Sequence, residues 1–328
     1  MTCCQKIKQH CHNIVSKLWH NPLPWYILIL LPLSYIFHLL IIIRCYYYKK
    51  IQQHVAVPVI VVGNINVGGS GKTPVVIEII QFLQGQGYNP GIISRGYTLQ
   101  KLPRAEVCLV SDSSDPNIVG DEAVLLAEVT KVPVAVSANR VLAAKDLLAQ
   151  YPNIDILVSD DGLQHYKLAR DIEIAVVNPV IGHGNGKLLP LGPLREPISR
   201  LDTVDIVVAV NKEPIAVINI KDKTKQYSFV DFVRKYSSKK IHAVAAIGHP
   251  ETFFDLLLTA GFDIIAHSYP DHYSYSKVDI KFADALEVLM TEKDAIKCTT
   301  FAGNNCWLVR VVAKLPDDFY VKLLKLLR

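Results

Sequence analysis

With 328 residues, the chain is long enough for two domains of ordinary size and a membrane segment besides. Its formal charge of +5 is concentrated at the start, where Lys6, Lys8, Lys17, Arg44, Lys49 and Lys50 all precede the first acidic residue, Glu78. The near-neutral remainder argues against a nucleic-acid-binding body, and the basic start points instead to an anionic phospholipid surface.

Residues 21–43 contain no Asp, Glu, Lys or Arg and are almost wholly apolar, which is long enough to span hydrocarbon. Trp19 and Trp25 on one side and Tyr46, Tyr47 and Tyr48 on the other bracket the stretch as interfacial aromatics do. No small-residue cleavage site follows it, so a removed signal peptide is disfavoured. Pro32, His38 and the basic flanks equally permit a helix lying in the interface, and spanning is left open. The seven cysteines include no CxxC pair and read as reduced cytosolic thiols, and Cys3-Cys4 reads as incidental rather than acylated.

After this extension (1–54), the short β-branched run 57–62 predicts a buried strand, and helical spacing follows over 73–83. Further strands are predicted at 91–93, 107–110, 134–136, 154–158, 172–177 and 206–210, with helices at 121–129 and 140–150 between some of them. Alternation of this kind means βαβ units and a mostly parallel sheet over 55–222. A second, smaller α/β lobe is expected over 223–328, from strands at 241–246, 288–290 and 307–312 and a helix at 250–260. The expected fold is therefore α/β: a P-loop NTPase-like sheet, a smaller α/β domain and an N-terminal membrane helix.

Between the first strand and its helix lies Asn66-Val67-Gly68-Gly69-Ser70-Gly71-Lys72-Thr73. Glycine-rich backbone lets amides approach phosphate oxygens, the lysine reaches the outer phosphates and the hydroxyl binds magnesium. Asn66 stands where the strict pattern has Gly, so this is a relaxed phosphate loop for a nucleoside triphosphate. A second magnesium anchor is expected at the end of another buried strand, and Asp160 and Asp161 before Gly162 fill that place. Asp121 and Glu122 open a helix after Gly120, and Asp271-His272-Tyr273 lies far away in sequence; alone they read as a helix cap and a surface turn.

These segments, with Ser94-Arg95-Gly96-Tyr97, Asp160-Asp161-Gly162-Leu163-Gln164-His165, Gly184-Asn185-Gly186, the Leu189-to-Pro197 run and Met290-Thr291-Glu292-Lys293-Asp294, resemble the tetraacyldisaccharide 4'-kinase family, the lipid A 4'-kinases of Gram-negative bacteria. The resemblance covers most of the chain; Thr98, where the family often has Gly, departs from it. It implies transfer of the γ-phosphoryl of ATP to the 4'-hydroxyl of a lipid A disaccharide 1-phosphate, with Mg²⁺, at the cytoplasmic face of the inner membrane and with no obligate protein partner. Carried over, Lys72 holds the phosphates, Thr73, Asp160 and Asp161 organise the metal, and Glu122 helps order the metal or loop. Asp121 is the implied base, supported by His272, and Arg140, His165, Arg195 and Glu196 are further implied active-site groups. Because Asp121 and His272 fall in different expected lobes, their assembly is expected to need lobe closure, which would also exclude water. A partitioning ATPase would want Lys at Val67, and a guanine-reading loop would want Asp at Pro214.

Overall fold

The computed structural model describes residue 19 and residues 29–68, 71–96, 106–111, 113–237 and 239–327. Cys3, Cys4, residues 20–28 of the apolar stretch, Gly69 and Ser70 of the phosphate loop, Tyr97 and Thr98 lie outside the described residues. The strands, in chain order, are β1 (Val59–Gly63), β2 (Pro90–Ser94), β3 (Cys108–Val110), β4 (Val134–Val136), β5 (Ile156–Asp160), β6 (Ile172–Val177), β7 (Ile206–Ala209), β8 (Asn211–Asn219), β9 (Gln226–Ser228), β10 (Lys240–Ala245), β11 (Asp263–Ser268), β12 (Val288–Thr291) and β13 (Cys306–Lys314). The chain forms two compact units, neither of them continuous in sequence: Met1–Lys72 with Ile156–Asn211 and Leu315–Arg328, and Thr73–Asp155 with Lys212–Lys314. This division differs from the linear one expected at 54/55 and 222/223.

In the first unit β1 lies between β5 and β6, with β7 beyond β6, and every pair is parallel. All five residues of β1 and of β5 are buried, the signature of strands covered on both faces. The register places Val62 opposite Asp160, so the ends of β1 and β5 come out together. The loop that follows Gly63 and the carboxylates that close β5 are thus delivered to one edge of the sheet, where open α/β sheets bind their ligands. The helix Leu31–Lys50 belongs to this unit and is apolar on its exterior: Leu33, Ile36, Leu39, Leu40, Ile42 and Ile43 are all exposed. Its length and mean hydropathy of 1.3 are those of a helix able to cross a membrane. The helix continues past Arg44 to Lys50, so Tyr46, Tyr47 and Tyr48 lie within it rather than beyond its end as expected.

The second unit contains β2 paired parallel to β4, β4 paired antiparallel to β3, and a six-stranded mixed sheet of order β11-β10-β12-β13-β8-β9. Period-two alternation splits that sheet into two cores. Ile241, Ala243, Trp307 and Val309 pack with Phe229, Phe232 and Tyr236 of the helix Phe229–Tyr236, while Val244, Met290, Cys306 and Leu308 pack on the other side with Tyr275, Ile280 and Cys298. Cys45, Cys108, Cys298 and Cys306 are free thiols. Ser228 and Thr291 accept hydrogen bonds from the main-chain N–H of Asp231 and Asp294, capping the helices Phe229–Tyr236 and Glu292–Ile296. Strands β8, β9 and β11 lie beyond those expected. The first half of β8, with Lys212, Glu213 and Pro214, is largely exposed, so it carries no apolar period to reveal a strand.

Candidate active site

Two clusters of functional side chains form, one in each unit. In the first unit the chain leaves β1 at Gly63, where an added Cβ would sit 2.8 Å from Leu163 Cγ, so only glycine permits this approach to the segment after β5. Gly68 and Gly71 have φ of 103° and 86°, positions that L side chains resist, and the helix Lys72–Gly85 then carries Lys72 and Thr73 in its first turn. Lys72 Nζ lies 3.3 Å from Asn64 Oδ1 and 3.5 Å from Asp161 Oδ1. Arg195 donates to both oxygens of Asp161 at 3.2 Å and to Gln164 Oε1 at 3.2 Å, and Gln164 Nε2 donates back to the Asn64 carbonyl at 2.9 Å. Asn64, Lys72, Asp161, Arg195 and Gln164 therefore close a ring.

The loop is braced from outside the ring. The Val67 N–H donates to the Pro193 carbonyl at 2.8 Å and the Arg195 N–H to the Ile65 carbonyl at 2.6 Å. Asn66 donates to the Gly182 carbonyl at 2.8 Å, so its amide does a brace's work where the strict pattern has glycine. The membrane helix is tied to the same region, Ser34 donating to the Leu188 carbonyl at 3.1 Å and Arg44 to the Gln164 carbonyl at 3.3 Å.

Asp160 is fully buried at the end of β5 and Asp161, next to it, has φ of 46°. Left-handed backbone at a residue other than glycine turns the second carboxylate sharply away from the strand, and such strain gathers at functional sites. Among the described residues no group of three or more His, Cys, Asp or Glu side chains forms a metal cage. That donor set fits magnesium, which takes one or two carboxylates and fills the rest of its octahedron with phosphate oxygens and water.

In the second unit Asp121 opens the helix Asp121–Thr130 after Gly120, whose φ is 96°. Its Oδ2 lies 3.3 Å from His272 Nδ1, 3.1 Å from Lys297 Nζ and 4.0 Å from Lys293 Nζ, and its Oδ1 accepts from the Glu122 N–H at 3.0 Å. Burial pushes the Asp121 pKa up, but the His272 hydrogen bond and the charges of Lys293 and Lys297 outweigh it and hold the carboxyl well below its usual range. Burial lowers the His272 pKa, yet the Asp121 hydrogen bond and the nearby Asp271 leave it raised. Lys293 also pairs with Glu122 at 3.1 Å and Asp271 at 3.6 Å, and Lys297 with Asp294 at 3.5 Å. Despite its burial, the pKa of Lys293 is raised by these carboxylates, chiefly Glu122. His272, like Asp161, has positive φ, 58°.

The expectation that Asp121 and His272 meet only on lobe closure is corrected here. Both belong to the second unit and already share a hydrogen bond, because that unit joins segments the linear boundary separated. Glu122 is engaged by Lys293. Arg140, also in this unit, is buried and donates to the Ser137 carbonyl at 3.3 Å, holding the turn before its own helix. In the first unit, the His165 carbonyl accepts from Arg170 at 2.5 Å. Glu196 is buried in a hydrogen bond from the Tyr166 hydroxyl and an ion pair with Arg200 at 3.3 Å, so it braces the loop that bears Arg195. Sequence reading assigned no role to Asn64, Gln164 or Lys297. Lys297 had a signal: it follows Lys293 by four residues, one helical turn, which puts both ammonium groups on one face.

A family model described as Tetraacyldisaccharide-1-P 4'-kinase matches residues 26–328. The chain is 44% identical to a tetraacyldisaccharide 4'-kinase of Nitrosococcus oceani over 333 residues, covering 96% of this chain and 95% of the relative. It is 42% identical to the enzyme so named in Shewanella oneidensis over 334 residues, covering 96% and 95%. Among solved structures it is similar to LpxK from Aquifex aeolicus in complex with ATP, at 26% identity and a TM-score of 0.75, covering 91% of this chain and 98% of that one.

Proposed function

The chain belongs to the tetraacyldisaccharide 4'-kinase family, and from that premise we propose how its own residues divide the work of the reaction. The reaction transfers the γ-phosphoryl of ATP to the 4'-hydroxyl of tetraacyldisaccharide 1-phosphate in lipid A biosynthesis. Phosphoryl transfer asks the protein chiefly for positioning and for neutralising charge on the phosphate oxygens. Residues 66–73 cradle the phosphates, with Lys72 on the outer ones. Thr73, Asp160 and Asp161 would hold magnesium, which would supply charge neutralisation at the phosphate oxygens. Arg195 fixes Asp161 and adds a second cation.

Asp121 accepts the proton of the 4'-hydroxyl, and His272 orients its carboxylate. An unusually acidic carboxyl is a weak base but stays ionised at every working pH, and a loose transition state places only a modest demand on the base. Lys293 and Lys297 keep it ionised, and Glu122 and Asp271 in turn keep Lys293 charged. The observation that carries this division is the Asp121–His272 pair with its two lysines, a buried carboxylate held ionised beside an imidazole, as a group that takes the proton of an acceptor hydroxyl must be. The exposed apolar helix 31–50 and its basic neighbours hold the enzyme on the inner-membrane phospholipid surface, with both units on the cytoplasmic side where ATP is found.

The test is transfer of labelled phosphate from ATP to tetraacyldisaccharide 1-phosphate by the full chain in detergent with Mg²⁺. Lys72→Met is expected to reduce kcat/KM by about 10²–10³-fold, the usual cost of losing one cation from charged-oxygen stabilisation. Transfer at the wild-type rate by this variant would remove Lys72 from the site.

A further inference from the structure

We propose that Asn64 is a positioning residue for Lys72, holding its ammonium for the transferred phosphates; this rests on Lys72 being the phosphate-binding lysine. Asn64 is the first residue after β1, and it is 1% exposed. It is fixed from three directions. Gly63 packs against Leu163 so closely that the backbone cannot drift toward it, the Asn64 carbonyl accepts from Gln164 at 2.9 Å, and Asn64 Oδ1 accepts from Lys72 at 3.3 Å.

Lys72 thus has two acceptors, and they differ in kind. Asp161 is a charged partner that the reaction draws on for the metal, whereas Asn64 is neutral. A neutral acceptor orients an ammonium without cancelling the charge that the phosphates require, and it stays in place when the carboxylate turns to another cation. Asn64 Nδ2 is buried and finds no hydrogen-bond partner among the described residues. Buried amide donors are nearly always satisfied, and a donor left over beside the phosphate-binding lysine suits an anionic oxygen as its acceptor. One carboxamide therefore offers an acceptor to the lysine and a donor to an anion. The ring through Gln164 and Arg195 keeps its plane fixed while both are engaged.

The experiment is a double-mutant cycle on the full chain, with ATP, Mg²⁺ and tetraacyldisaccharide 1-phosphate, and with thermal melting of each variant. Asn64→Ala is expected to lower kcat about 10- to 100-fold, the equivalent of one hydrogen bond to a charged group, while KM for ATP moves much less. In a Lys72→Met background the same substitution is expected to cost much less, only what the amide donor itself gives the anion. Asn64→Asp keeps an acceptor of the same shape should the alanine variant fold poorly. It is expected to lower kcat as well, because a second carboxylate competes for the ammonium, and Lys72→Met should mask most of that loss. Losses that multiply in the double variants, or Asn64 variants that turn over at the wild-type rate, would overturn the assignment. Full activity of Lys72→Met alone would instead bring down the reading of Lys72, a result distinguishable from the other two.

Discussion

Replacing Asp121 by Asn keeps the shape of the side chain and removes its charge, and the structure says what that costs. Three cations face Oδ2, but Lys293 keeps Glu122 and Asp271, and Lys297 keeps Asp294. The loss thus falls on two contacts, to His272 at 3.3 Å and Lys297 at 3.1 Å. Losing the charge from a charge-assisted hydrogen bond, as to His272, or from a close buried ion pair, as to Lys297, costs about 1–1.5 kcal/mol each, so Asp121→Asn should destabilise by about 2–3 kcal/mol and still fold. The barrier should suffer more, since removing a positioned base costs about 10²–10⁴-fold in kcat. Initial rates of transfer to the lipid, at saturating ATP, read the second effect, and urea unfolding reads the first. The folded-state pKa of Asp121 is depressed, so its stabilisation is present above the ordinary carboxylate range and lost as pH falls through the folded value. The stability gap between wild type and Asp121→Asn should accordingly be widest near neutrality and close in acid. A folded variant whose kcat stays within about threefold of wild type would refute the base assignment.

The pH dependence of His272 has the opposite sign. Its folded pKa is raised, so what it contributes to stability is fully present below about 6.5 and is lost as pH rises through the folded value. Denaturation of His272→Ala against wild type should show the gap shrinking toward alkaline pH, and NMR titration of the ring should show the His272 pKa falling in Asp121→Asn; a gap that widens with pH would contradict the pairing. On the membrane helix, Leu39 and Ile43 are 57% and 54% exposed, so Leu39→Glu with Ile43→Glu should leave melting nearly unchanged. The same pair should weaken partitioning to anionic vesicles by several kcal/mol, at about 1.5–3 kcal/mol for each large apolar side chain lost, with a carboxylate's desolvation added. Undiminished sedimentation with vesicles would show that this face does not enter lipid.

The phosphate loop was legible in the sequence because its chemistry is local: glycines for positive φ, a lysine and a hydroxyl at fixed spacing, and a β-branched strand ahead of them. Asp160 and Asp161 were legible for the same reason, as polar residues ending a buried run. Expected strands from β1 to β7 fall within about two residues of those observed, since each is a short, mostly apolar, β-branched run. Strand β8 was not, because Lys212, Glu213 and Pro214 lie on an exposed half with no period to follow.

What only the tertiary structure decided is how distant residues meet. The pairing of Asp121 with His272, 151 positions apart, was implied by the family resemblance, but the hydrogen bond without lobe closure and the addition of Lys297, further still along the chain, were not. Their cluster exists because β12 delivers the helix Glu292–Ile296 to the same unit as Gly120 and Asp121, which no spacing rule encodes. The tie from Arg44 to Gln164, and the ring that encloses Asn64, arise likewise from parallel register and a glycine approach at Gly63, both products of packing across the sheet. Local chemistry prescribed the parts, and burial of the strands on both faces brought them into hydrogen-bonding range.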